Sequence, residues 1–129
     1  MKLKRILAVL LAAVMFVSVF AMQASAQTIS VSLLPSENWV SSASMTAKQV
    51  KANGTNHSIS KHYVYFQFYC RKTTDAPWSK NEKKYMKPGT SFSDLKSTAY
   101  DTTMLWCYQL NATGLYKNCS ATGTYWNIL

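Results

Sequence analysis

The hydrophobic pattern divides this chain after residue 26. No charged residue interrupts the run from Ile6 to Met22; Lys2, Lys4 and Arg5 precede it, and Ala24-Ser25-Ala26 follows. A basic start, an apolar middle and small residues at a cleavage point make the pattern of a secretory signal peptide. The run is at the short end for a bilayer span and a peptidase-type site follows it directly, which argues against a retained anchor. Residues 1–26 are therefore expected to be a cleaved leader. Residues 27–129 are then one domain, secreted and extracellular.

Beyond Gln27 the period becomes two. Ile29, Val31 and Leu33 alternate with Ser30 and Ser32, as in a half-buried strand. Pro35-Ser36-Glu37-Asn38 ends that strand, because proline cannot donate to a ladder and Ser and Asn favour turns. A second alternating run puts Trp39, Ala43, Met45 and Ala47 on one face and fades near Lys51. Asn53-Gly54 reads as a tight hairpin turn, since both residues tolerate positive φ. Ile59 to Arg71 is dense in β-branched and aromatic residues and is the expected central strand. Val64, Phe66, Phe68 and Cys70 share one of its faces, and Tyr63, Tyr65, Gln67 and Tyr69 the other. That tyrosine face is either buried a second time or open to solvent.

Lys87-Pro88-Gly89-Thr90 has the composition of a type II turn, and Ser93-Asp94-Leu95 allows one helical turn at most. Thr102 to Leu110 is again strand-like, with Met104, Trp106, Tyr108 and Leu110 on one face. Asn111-Ala112-Thr113-Gly114 is the expected turn after it, and Leu115 to Trp126 the last strand. No helical period persists after the leader. Short strands punctuated by Gly, Pro and Asn turns predict an all-β fold, a small antiparallel β-sandwich of immunoglobulin-like size, with a small closed β-barrel as the alternative.

This register carries an expectation for the cysteines. If Ala112 to Gly114 is a three-residue hairpin loop, Cys107 falls opposite Cys119, within disulfide reach. Cys70 is then left free and buried. An inter-sheet bridge from Cys70 is the competing arrangement.

Charge adds a class of partner. The formal net charge is +9, of which the leader contributes three, so residues 27–129 retain +6. A basic exported protein associates readily with polyanions. Arg71, Lys72, Lys80, Lys83, Lys84 and Lys87 cluster against Asp75 and Glu82 alone, with Trp78 and Tyr85 among them. The candidate ligand-binding residues are therefore Arg71, Lys72, Trp78, Lys80, Lys83, Lys84, Tyr85 and Lys87: cations hold acidic groups and rings stack on flat faces. The competing reading is a lysine-rich hairpin that blocks edge pairing. Trp39 and Trp106 fall on the apolar sides of their strands and are expected in the core.

Metal, cofactor and catalysis are not expected. His57 and His62 are an odd number of residues apart, which on a strand sends them to opposite faces, and no zinc or calcium spacing surrounds them. Glu37, Asp75, Glu82, Asp94 and Asp101 do not pair on any expected strand face as an acid and base would. There is no nucleophile elbow and no phosphate loop. Asn53, Asn56, Asn111 and Asn118 match the glycosylation acceptor pattern and are read as turn chemistry. The expected function is a non-enzymatic secreted module that binds anionic or glycan polymers of the cell envelope, with a membrane surface as a further candidate partner and no specific nucleic acid recognition. The alternative is a cationic antimicrobial or toxin-like protein acting on membranes of other cells.

Overall fold

A computed structural model describes residues 27–129, so the expected leader lies outside the described residues. The strands are β1 (Thr28–Leu33), β2 (Trp39–Ser41), β3 (Met45–Ala47), β4 (Val50–Asn56), β5 (Val64–Arg71), β6 (Ser79–Met86), β7 (Thr90–Lys96), β8 (Met104–Ala112) and β9 (Ala121–Asn127), with a single 3-10 turn at Thr113–Leu115. They form two antiparallel sheets packed as a sandwich. One has the order β1-β9-β4-β7, and the other the order β2-β8-β5-β6 with β3 also paired to β8.

Alternation along β5 and β8 builds the core as expected. Phe66, Phe68, Trp106, Tyr108, Leu110 and, from the other sheet, Tyr125 are wholly buried. Rings meet edge-on or tilted, Phe66 with Phe92 at 5.1 Å and Phe68 with Tyr108 at 5.2 Å between centroids. Such a core is stable only if its polar tips find partners. They do: Trp106 Nε1 donates to Ala47 O (2.8 Å), Tyr108 Oη to Asn53 O (3.0 Å), and Tyr125 Oη to Ala43 O (2.5 Å) and Trp106 O (3.2 Å). Burial pushes the Tyr125 phenol up to about 12 and raises that of Tyr108 further still.

Four expectations are corrected. Asn53-Gly54 is not a turn but the middle of β4, where glycine serves the close approach of the Phe66 ring from the other sheet and of Phe92 from the adjacent β7. Ser93-Asp94-Leu95 lies within β7 rather than in a helical turn. Trp39 is 51% exposed, because its pairing with Asn111 turns Val40 inward instead. The break at residues 42–44, between β2 and β3, resets the face parity that the alternation implied; Met45 and Ala47 are buried.

The fourth correction concerns the cysteines. β8 and β9 lie in different sheets, so Cys107 and Cys119 are not cross-strand neighbours. All three cysteines are free and buried. The segment between those strands crosses from sheet to sheet instead of forming a hairpin. Asn118 takes a left-handed φ of 68° there, donates its amide to Pro35 O (2.8 Å) and accepts Lys61 N (3.0 Å). By contrast, Pro88-Gly89 forms its turn, with Gly89 at φ 82° and Thr90 Oγ1 donating to Lys87 O (2.6 Å).

Candidate binding surface

β6 is an edge strand, paired only with β5. Its register sets Tyr85 opposite Tyr65, Lys83 opposite Gln67 and Lys80 opposite Tyr69. On a regular strand residues 80 and 83 would face opposite ways. A register shift between Gln67 and Tyr69 absorbs the extra residue, so Lys80 and Lys83 both stand on the outer face. Bulges of this kind re-aim side chains at sheet edges. Asn81 anchors the bulge: its Nδ2 donates to Tyr100 Oη (3.3 Å), and its Oδ1 accepts Glu82 N (2.9 Å) and Thr98 N (3.2 Å).

On this face cations and rings interleave. The Tyr65 and Tyr85 rings are 5.5 Å apart. Lys83 Nζ lies 4.9 Å from the Tyr85 centroid and 5.8 Å from that of Tyr65, and it donates to Tyr85 Oη at 3.2 Å. The Arg71 guanidinium stacks 4.2 Å over Trp78, and its Nη1 donates to Ala76 O (3.4 Å), which holds the β5–β6 loop against the sheet. Cation–ring contacts of this geometry are attractive; Lys83 stands exposed, whereas Arg71 is half-buried with its Nε unpartnered. Tyr69 has its phenol raised by burial, with Tyr65 and Cys107 acting in the same direction and Lys83 opposing them. Burial also raises the Cys107 thiol, against the Ser41 hydroxyl and the Arg71 charge, as for a thiol packed among apolar groups.

The eight candidates therefore divide. Arg71, Trp78, Lys80, Lys83 and Tyr85 share the outer face, while Lys72 stands in the exposed loop beside them. Lys84 points the other way: its Nζ is 3.6 Å from Asp94 Oδ1 and 5.7 Å from the Phe92 ring, across to the edge of the second sheet. An inward-turned charge at an edge strand discourages pairing with another chain. Lys87 lies past the end of β6 in the turn to β7. Lys84–Asp94 is the one ion pair among the described residues, which leaves Lys80 and Lys83 without carboxylate partners.

Tyr65 and Tyr69 join the surface although the charge cluster did not include them; their period-two spacing on β5 was the available signal. Trp39 extends the row, since Trp39 and Tyr65 flank Asn111 from either side and Tyr85 follows on β6. Among the described residues no group of His, Cys, Asp and Glu is placed to hold a metal ion, and no helix is long and apolar enough to cross a membrane. His62 stacks on Tyr116 at 4.2 Å, whereas His57 Nε2 lies 3.4 Å from Thr122 Oγ1. No family model, curated protein or solved structure matches the chain.

Proposed function

We propose that this is a secreted, non-enzymatic β-sandwich module that binds anionic or glycan polymers of the cell envelope through the outer face of β5 and β6. The observation that supports the reading most directly is Lys83 between the rings of Tyr65 and Tyr85, without a carboxylate partner. Arg71 stacked on Trp78 repeats the combination further along the same hairpin. Charge attracts the acidic groups of a polymer, and ring faces stack on its sugars. A lysine edge that served only to prevent strand pairing would not require tyrosines on the neighbouring strand to share its exposed face.

The test is retention of the purified protein on isolated cell wall and on a soluble anionic glycan across a salt series. Binding that falls steeply with salt and is weakened by changes at Lys80 and Lys83 supports the reading. Equal binding by parent and variant at low salt removes it. Export is tested separately by N-terminal sequencing, with Gln27 the expected first residue.

A further inference from the structure

Apart from Tyr85 on the face of β6, the exposed large apolar side chains of the loops are sorted to one end of the sandwich. Leu34, Ile59, Tyr63 and Tyr116, each more than half exposed, lie in the segments that follow β1, β4 and β8. All three segments emerge at the end where Leu33, Asn56 and Ala121 align in one sheet and Val64 and Ala112 in the other. Trp39, 51% exposed at the start of β2, borders them. At the opposite end, the one large exposed apolar side chain among the described residues is the terminal Leu129.

Charge is sorted in the same sense. Lys61, Lys87 and Lys117 are exposed in the loops at this end. Glu37 is the one carboxylate there, and its Oε1 accepts the Leu34 amide at 3.1 Å. Asp75 and Asp101 belong to loops of the other end, and Glu82 and Asp94 lie within strands.

These loops are tied to one another. Lys61 N donates to Asn118 O (3.0 Å), Asn118 N to Pro35 O (2.8 Å) and Thr113 N to Tyr63 O (3.1 Å). Beneath them the buried Asn56 Nδ2 donates to His62 O (3.1 Å) and Met86 O (2.9 Å). The apolar groups therefore stand on a preformed cap and are not free to fold away. Between the loops lies an open depression of about 230 Å³, lined by Pro35, Ile59, Lys61, Asn118 and Ser120. That is below the ordinary range of small-molecule pockets, so an extended surface fits this end better than an enclosed ligand.

We propose that this end docks on an anionic lipid bilayer, with Leu34, Ile59 and Tyr116 entering the headgroup boundary and Lys61, Lys87 and Lys117 meeting lipid phosphates. A bilayer surface has the same layering, anionic groups above apolar chains, and tyrosine is suited to that boundary because its ring is apolar and its tip polar. Lysines beside an anionic leaflet are attracted to it. A second copy of the chain is disfavoured, because its lysines would oppose these lysines. The residues assigned to the bilayer lie in the end loops and meet the outer face of β5 and β6 only at Trp39, so this inference does not depend on polymer binding.

The test uses the protein as isolated from cells, its N-terminus determined, in sedimentation with vesicles of phosphatidylcholine containing phosphatidylglycerol and with phosphatidylcholine alone. Binding to the anionic vesicles is expected to fall about tenfold or more in Leu34→Ser with Ile59→Ser. Lys61→Gln and Lys117→Gln are each expected to lower it about fivefold. Exposed positions tolerate such changes without unfolding, which a near-ultraviolet spectrum verifies. The apolar double variant should retain polymer binding in full. Vesicle binding that is absent, or unchanged in the double variant, overturns the proposal; so does self-association of the parent that the double variant abolishes. Loss of polymer binding by β6 variants that still bind vesicles bears only on the polymer surface.

Discussion

Gly54 and Gly123 lie directly opposite one another in the ladder between β4 and β9, and together they open the gap into which rings of the facing sheet project. A Cβ added at Gly54 would come within 2.6 Å of the Phe66 ring and 2.7 Å of Phe92; at Gly123 it would meet Tyr108 at 2.7 Å. Neither glycine has a positive φ, so the requirement is space. Overpacking of this kind costs about 1–3 kcal/mol. Gly54→Ala and Gly123→Ala are each expected to lower the denaturant midpoint accordingly. Combining Gly54→Ala with Phe66→Leu should recover part of the loss, and additive costs in that cycle would show that the ring is not what the glycine accommodates.

The buried thiols lead to a second prediction. Cys70, Cys107 and Cys119 are free and buried, so a thiol reagent should react slowly with the native protein and reach all three cysteines once it is unfolded without reductant. Peptide mapping under non-reducing conditions should find no linked pair. A Cys107–Cys119 peptide would contradict the separate, unpaired burial of these two cysteines.

Alkaline stability follows from the buried phenols. A phenol raised in the folded state stays neutral there while its unfolded counterpart ionises near 10. The stabilisation is therefore complete below that range and is lost as pH rises toward about 12, the position of Tyr125. Stability should fall progressively above pH about 10, by on the order of 2 kcal/mol from Tyr125 alone. Tyr125→Phe should cost about 1 kcal/mol at neutral pH through its lost hydrogen bonds, yet show a shallower alkaline decline. Denaturant midpoints across pH 8 to about 12 measure both, and parallel declines in parent and variant would exclude Tyr125 as a source.

The β6 surface makes a separable prediction. Lys80→Gln with Lys83→Gln should weaken retention on an anionic polymer and reduce its dependence on salt, since exposed charges act within about 8 Å at physiological ionic strength. Trp78→Ala or Tyr85→Ala should weaken retention at high salt as well, where stacking persists. Lys84→Gln serves as the comparison, because Lys84 turns toward Asp94; its half-exposed pair contributes at most about 1 kcal/mol, and polymer binding should hardly change.

Much of the architecture was legible in short-range pattern. Alternation marked the buried faces of β5 and β8, Pro35 and Pro88-Gly89 marked real turns, and Trp106 fell in the core. These features depend on local physics: a strand shows its two faces every second residue, and a turn needs particular backbone angles. The basic cluster was equally visible, because charge is a property of composition.

Other features depend on which strands become neighbours, and local pattern does not carry that information. Gly54 looked like a turn residue until the facing sheet supplied Phe66 and the neighbouring strand β7 supplied Phe92. Cys107 and Cys119 matched a hairpin register, but the chain between them crosses to the other sheet. Trp39 changed faces at the break before β3, and the β6 bulge brought Lys80 and Lys83 to one side with Tyr65 and Tyr85. A one-residue shift in a strand inverts every later side chain, so both faces of an edge strand remain open until its partner strand sets the register. The amino-acid order thus determined the central strands β5 and β8, the turns at Pro35 and Pro88-Gly89 and the charge, whereas long-range pairing decided the remaining elements and which residues the strands hold together.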